Sequence, residues 1–378
     1  MSKDDTNTQP KSKTNTTEFA EQLLVWFDQF GRTDLPWQNT HDPYRIWVSE
    51  IMLQQTQVST VIPFYQRFMQ QFPDIASLAA AEQDLVLHHW TGLGYYARAR
   101  NLHRAAQIIV DEHAGTFPTD FEAALNLPGI GRSTAGAILS FAFAQHHAIL
   151  DGNVKRVLSR VFGVEGWPGE RAVSDRLWEI AERNTPASAV ARYTQAIMDF
   201  GATLCKRAKP LCTDCPFQPG CEAYQQDKIA SLPGKKPKKA QPVKTTTMLI
   251  IQNDQAEFFL QQRPPSGIWG GLWSFPEFAT SAMHTTGDEL DLSQLEADAL
   301  NTLGLHLEID SVGQQLRHTF SHYHLDITPV YARLCKLEPA VTEHESLWFD
   351  QQKPLQIGLA APIKQLLQLA HLSMTIQD

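Results

Sequence analysis

No apolar run in these 378 residues approaches the length of a membrane span, so the sequence offers no candidate transmembrane helix. An apolar leader is also missing from the N-terminus, and nothing argues for secretion or a disulfide framework. The reading is a cytoplasmic protein with no membrane partner. Internal repeats are not visible. An excess of basic charge is lacking too: the net charge is −9, which weighs against a nucleic-acid partner unless the cations are clustered. Clusters do exist, at Arg98, Arg100 and Arg104, at Lys155, Arg156 and Arg160, at Lys206, Arg207 and Lys209, and in the lysines of 228–244. Solvated helix faces would look the same. Cysteine is scarce, at five residues, yet four of them are Cys205, Cys212, Cys215 and Cys221, spaced C-x6-C-x2-C-x5-C. Cys335 stands alone. Four close thiols in a reducing compartment read as metal ligands. Zinc sites usually pair two well-separated C-x2-C knuckles. One tight pair with unequal single arms fits a 4Fe-4S cubane better. Zinc, or buried unligated thiols, stay open from the residues alone.

The first 17 residues are polar and are predicted to be a disordered tail. From 18 to 227 the grammar is helical. Apolar residues recur three and four apart, as at Leu23, Leu24, Trp26 and Phe27, then at Val48, Ile51 and Met52. Asp42-Pro43 is a cap followed by a proline at the first helical position. Further helices are predicted over 60–71, 82–89, 97–113, 119–124, 132–145, 153–162, 171–184 and 187–202. Residues 228–244 are a lysine-rich linker by composition. Beyond it, 245–251 and 257–261 read as strands, 321–333 alternates in strand fashion, and 361–371 fits a last helix. The fold class is therefore multidomain: an all-α domain with the cysteine loop, then an α+β domain over 245–374.

Four further constellations carry chemistry. In Leu127-Pro128-Gly129-Ile130-Gly131-Arg132-Ser133, glycines two apart make a tight hairpin between helices. Its outward N–H groups beside a helix N-terminus suit a phosphate oxygen without base preference. An ordinary Pro-Gly turn has the same signature. In Leu150-Asp151-Gly152-Asn153-Val154-Lys155, Asp151 stands where a helix begins. A plain N-cap is the commonest job of such a residue. A carboxylate kept ionised by the helix dipole could instead stabilise a cationic sugar. Glu50, Gln54 and Gln57 are predicted to share one helical face, away from Val48, Ile51 and Met52; spacing alone favours a solvated stripe. Gly92-Leu93-Gly94-Tyr95-Tyr96 puts a glycine-flanked aromatic at the start of a basic helix. That suits either insertion into a base stack or a buried turn.

Taken together these residues resemble the adenine DNA glycosylase (MutY) family of the helix–hairpin–helix superfamily, over about 18–374. The resemblance is carried by the ordered set WVSEIMLQQTQV, TGLGYYARARNL, LPGIGRSTAGAI, LDGNVKRV, the four-cysteine loop, RPPSGIWGGLW and FSHYHLD. It implies a helix–hairpin–helix glycosylase domain with a 4Fe-4S cluster loop, followed by a Nudix-like domain. It implies a monofunctional glycosylase of base excision repair, removing adenine opposite 8-oxoguanine or guanine. The implied partner is double-stranded DNA holding such a mispair, bound by a monomer associated with the nucleoid. Glu50 would be the general acid, Asp151 would stabilise the sugar cation, and Asn153 would orient Asp151 or water. Gln54, Tyr95, Leu127, Gly129, Gly131, Ser133 and Lys155 would contact DNA. Phe320, Ser321 and His322 would probe the lesion. The endonuclease III relatives share the hairpin and the cysteine spacing. They lack the second domain, and the bifunctional ones carry a lysine at the position of Ser133, which forms a Schiff base. A serine there predicts no strand cleavage. The Nudix resemblance departs from the hydrolase pattern R-E-x-x-E-E, because the matching stretch reads GDELDLSQLEADALNTLGL. The second domain is therefore expected to bind DNA or the lesion and not to hydrolyse nucleotides.

Overall fold

The computed structural model describes residues 16–237, 240–279, 290–338 and 344–374, so the tail lies outside the described residues up to residue 15. The chain forms two compact units. One takes the chain up to Met69, Asp74–Ala76, and Ala105 to the lysine-rich linker; the other takes Gln70–Pro73, Ser77–Arg104 and everything after the linker. Composition suggests a single cut at the linker. The structure instead builds a helical insert from the first half into the second unit.

The helices before the linker are α1 (Thr16–Phe30), α2 (Pro43–Leu53), α3 (Val58–Gln71), α4 (Ile75–Ala80), α5 (Gln83–Trp90), α6 (Ala97–Glu112), α7 (Phe121–Leu125), α8 (Arg132–Phe143), α9 (Gly152–Val161), α10 (Arg171–Asn184), α11 (Val190–Asp199) and α12 (Glu222–Gln225). Aspartates start three of them. Asp42, Asp120 and Asp151 accept from the backbone N–H groups of Tyr44, Ala123 and Val154 at 2.9, 2.9 and 2.8 Å. Helix α1 buries Phe19, Leu23 and Trp26 against Val154, Val157 and Leu158 of α9 and Tyr193 and Ile197 of α11. Phe19 stacks on Phe217 at 4.5 Å, and Trp26 meets Phe200 edge-on at 4.9 Å. Each such side chain contributes about 1.5–3 kcal/mol on burial, more than a terminal cap, so packing holds this bundle together. The same core takes in Cys205 and Cys221. The start of the lysine-rich stretch also belongs to it: Leu232 is buried in this core and Gly234 N–H donates to Gly166 O at 3.0 Å.

The second unit is built on a sheet of β1 (Val243–Gln252), β2 (Phe258–Gln262), β3 (Trp273–Ser274), β4 (Glu277–Phe278), β5 (Leu305–Val312), β6 (Leu316–Thr319), β7 (His324–Leu337) and β8 (Ser346–Phe349), with α13 (Leu292–Leu303) and α14 (Ala361–Met374). Its main order is β3-β2-β1-β7-β5, with β4 on β1, β6 on β7 and β8 on β2. The long pairing of β1 with β7 is parallel, Val243 opposite His324 through Gln252 opposite Arg333. Met248, Leu249, Ile250 and Ile251 are all buried, which explains why β1 reads as an apolar run and not as an alternation. Helix α13 seats Leu295, Ala299 and Leu303 on Leu249, Ile251, Val330 and Ala332. This helix holds the described part of the degenerate acidic stretch. Its carboxylates serve protein groups: Glu296 accepts from Ile309 N–H at 3.2 Å and Asp298 from Gln294 at 2.8 Å.

Candidate active site and cluster loop

A cavity of about 870 Å³ in the first unit is lined by Glu50, Gln54, Gln57, Ser133, Asp151 and Asn153 together with Arg32, Trp37, Arg156 and Gln195. Three well-separated stretches of sequence thus meet at one place. Glu50 reaches it from the last turn of α2. That helix ends at Leu53, so Gln54 is its C-cap and Gln55 adopts a left-handed φ of 58°. The predicted helical stripe of Glu50, Gln54 and Gln57 is therefore broken by a turn. The cavity brings the three together, and Gln54 Nε2 donates to Thr134 Oγ1 at 3.4 Å.

Asp151 caps α9 through Oδ1, while Asn153 Nδ2 lies 3.5 Å from Oδ2. Asn153 is itself held, because Arg156 Nη2 donates to its Oδ1 at 2.8 Å. Burial pushes both cavity carboxyls upward, with unequal outcomes. Glu50 rises from 4.5 to about 8, chiefly through burial and secondarily through the charge of Asp151. Asp151 is also raised by burial, but the Val154 N–H, Asn153, Arg156 and Lys155 pull it back. Burial thus favours the protonated form of Glu50, whereas Asp151 has groups around it that favour its charged form.

Ser133 lies at the start of α8, and its Oγ accepts from Leu150 N–H at 3.0 Å. It braces the residue before Asp151. The hairpin forms as expected: Ile130 N–H donates to Leu127 O at 3.1 Å, Gly129 takes a φ of 82°, and Gly131 is the N-cap of α8. Gly129 and Gly131 are exposed, whereas Leu127 is buried. Lys155 is half-buried on α9. Tyr95 belongs to the second unit, is 51% exposed, and sits at a φ of 50° between α5 and α6. Phe320, Ser321 and His322 form the β6–β7 turn, with Phe320 N–H donating to Tyr323 O at 2.9 Å and the other two exposed.

Four arginines of the basic clusters turn inward. Arg98 donates to the carbonyls of Leu93 and Gly94, and Arg100 to that of Gly270. Arg156 donates to Cys205 O at 2.8 Å and Gly201 O at 2.7 Å. Arg160, buried, donates to Leu232 O, Lys206 O and Arg207 O. These side chains knit the protein; of the cations of the cysteine loop, Arg207 and Lys209 are exposed and Lys206 is half-buried and lines the cavity.

In that loop Arg160 Nη1 lies 3.5 Å from Cys205 Sγ, and Cys221 Sγ lies 3.4 Å from Arg160 O. Burial pushes the Cys215 thiol up to about 12, and the charges of Cys205, Cys221 and Cys212 push the same way. Among the described residues no three His, Cys, Asp or Glu side chains close on a single-ion site. Four thiols on one loop, two of them in the core and one beside the buried Arg160 guanidinium, are a donor set that would suit an iron–sulfur group.

Sequence reasoning missed Arg32, Gln195 and Asp199. Asp199 is fully buried and accepts from Arg32 N at 2.8 Å, Arg32 Nε at 3.0 Å and Gln195 Nε2 at 2.9 Å. Gln195 and Asp199 are four apart on α11, a polar pair on one helical face. That pattern was the available signal.

Two carboxyls in one cavity beside a tight glycine hairpin between helices are the arrangement expected of a DNA glycosylase of the helix–hairpin–helix class. Residues 48–183 match the HhH-GPD superfamily of base excision DNA repair proteins, and 247–369 match the NUDIX domain. The adenine DNA glycosylase of Buchnera aphidicola subsp. Acyrthosiphon pisum is 38% identical over 351 residues, covering 93% of this chain and 97% of its own. That of Mus musculus is 35% identical, covering 86% and 72%. A thermostable thymine-DNA glycosylase of known structure is 29% identical with a TM-score of 0.51, covering 55% of this chain and 95% of its own. The chain belongs to the adenine DNA glycosylase family. It is a base-excision repair enzyme that releases adenine from DNA.

Proposed function

We propose that the adenine it removes is the one mispaired with 8-oxoguanine, or with guanine, and that it leaves an abasic site without cutting the strand. The observation that carries the mechanism is the pair of carboxyls in one cavity, Glu50 raised to about 8 and Asp151 capped and charge-compensated. The adenine leaves the stack and enters the cavity. Glu50 gives its proton to adenine N7, the C1′–N9 bond breaks, and the base departs neutral. Asp151 stabilises the oxocarbenium-like sugar. Water then adds to C1′ and returns its proton to Glu50. Asn153, tethered by Arg156, fixes Asp151. Ser133 is braced to Leu150 and has no amine, which supports a monofunctional reaction.

The hairpin backbone at Leu127, Gly129 and Gly131, with Lys155, takes phosphates. Gln54 on the first unit and Tyr95 on the second contact the duplex. Phe320, Ser321 and His322 read 8-oxoguanine. Cys205, Cys212, Cys215 and Cys221 would hold a 4Fe-4S cluster, whose ligation would keep rigid the loop that presents Arg207 and Lys209 to DNA. The protein acts as a monomer on DNA in the cytoplasm.

Incubation with borohydride tests the monofunctional reading. An adenine-releasing protein that traps no covalent DNA adduct, and breaks the strand only after alkali, bears it out. Trapping, or alkali-independent nicking, overturns it.

A further inference from the structure

We infer that Arg100 is a positioning residue that makes the Tyr95 turn and the Phe320–His322 turn one rigid DNA-reading piece. The inference rests on the reading of those two turns as DNA contacts, and all the groups it uses lie in the second unit.

Helices α5 and α6 flank Tyr95, and both are bonded to the sheet side of that unit. Asp84 accepts from Gln262 Nε2 at 3.1 Å and from Trp273 Nε1 at 2.9 Å. Tyr96 Oη donates to Leu359 O at 3.2 Å. Arg100 Nη1 donates to Gly270 O at 2.6 Å. The Gly271 backbone sits close against α5: a Cβ there would come within 2.9 Å of Gln83 Nε2, which would have to move aside, and 3.5 Å of Leu87.

One residue from Gly270 stands Trp269, 8% exposed and held at a φ of 55°. Its ring packs on Phe320 at 5.3 Å and on His318 at 5.5 Å. A continuous path therefore runs from α6 through Arg100 and Gly270 to Trp269 and the β6–β7 turn. A left-handed tryptophan is costly unless its surroundings fix it. Arg100 supplies one such fix, and at the same time anchors the helix that begins just after Tyr95. A shift at either turn must move the other.

The test uses the full-length protein and single-turnover excision from duplexes holding 8-oxoguanine·adenine or guanine·adenine, beside melting temperatures. The variants are Arg100→Met, Arg100→Lys, Phe320→Ala, Tyr95→Ala and the double variant Arg100→Met/Phe320→Ala. We expect Arg100→Met to lower the preference for the 8-oxoguanine duplex about three- to tenfold while excision opposite guanine stays within about twofold. Arg100→Lys recovers part of the preference, and the double variant loses no more of it than Phe320→Ala. Should Arg100→Met fail to fold, the same ratio is read in Asp84→Asn, on the other side of the seat. An unchanged ratio in Arg100→Met, or losses that multiply in the double variant, would overturn the coupling while Phe320→Ala still lowers the ratio. If Phe320→Ala and Tyr95→Ala change neither ratio nor affinity, the underlying reading of the two turns falls, and the coupling with it.

Discussion

Glu50 and Asp151 carry the same chemical group and are told apart by what surrounds it. Burial raises both; Glu50 also faces a negative charge, whereas Asp151 has a helix N-terminus and nearby cations. Excision should therefore fall as pH rises through about 8, the value at which Glu50 loses its proton. Glu50→Gln should be slower by about 100- to 10,000-fold and lose that limb of the profile. Stability gives a separate check. Between 4.5 and about 8 the folded state binds the Glu50 proton and the unfolded state does not, so this residue lowers stability as pH rises across that window. Glu50→Gln should melt above the wild type near pH 8 and level with it near pH 4. Ser133→Ala removes the acceptor of Leu150 N–H and should cost about 1–3 kcal/mol in denaturation, with slower excision as Asp151 loses its brace. The sequence marked Glu50, Asp151 and Asn153 through their motif. It did not mark their support: Ser133 acts through the backbone of Leu150, and Arg156, which holds Asn153, is itself placed by carbonyls of the distant residues Gly201 and Cys205.

Helix α9 connects the chemistry to the cysteine loop. Asp151 caps it, Arg156 stands one turn in, and Arg160 a further turn on, both turned to carbonyls of that loop. Arg160→Met would leave the carbonyls of Leu232, Lys206 and Arg207 without this donor. We expect about 1–3 kcal/mol of lost stability per unsatisfied buried group and weaker visible absorption of the proposed cluster, both read on one sample. Cys215→Ser should abolish that absorption and weaken DNA binding, while far-ultraviolet circular dichroism keeps most of its helical signal. Periodicity placed most helices here within a few residues: 171–184 is α10 as predicted, and 132–145 shortens to α8 at Phe143. The predicted 187–202 instead becomes α11 followed by a π-turn at Phe200–Leu204, a local choice with no sequence period. Helix α4 was too short to show a period. Helix α13 was legible only as a failed acidic motif, although its capping Asp291 and the four-apart Leu295, Ala299 and Leu303 were there to be read.

Across the whole molecule, the net charge of −9 hides a local arrangement in which several arginines serve the fold and a few loop cations face outward. Replacing Arg207 and Lys209 by alanine should make the salt dependence of DNA binding shallower by about 0.9 for each phosphate the loop no longer neutralises, as seen in a plot of log affinity against log salt. The change from helical to strand grammar after residue 244 was legible in composition. The parallel pairing of β1 with β7, and the building of α5 and part of α6 into the second unit, were not. Both depend on pairings between distant segments that no local pattern encodes. The most direct test of the account is single-turnover excision from a labelled duplex with one 8-oxoguanine·adenine pair, read with and without alkali, for the wild type and for Asp151→Asn. The account predicts breakage of the adenine strand after alkali alone, lost in Asp151→Asn. Unimpaired excision by Asp151→Asn, or no adenine release by the wild type, would contradict it.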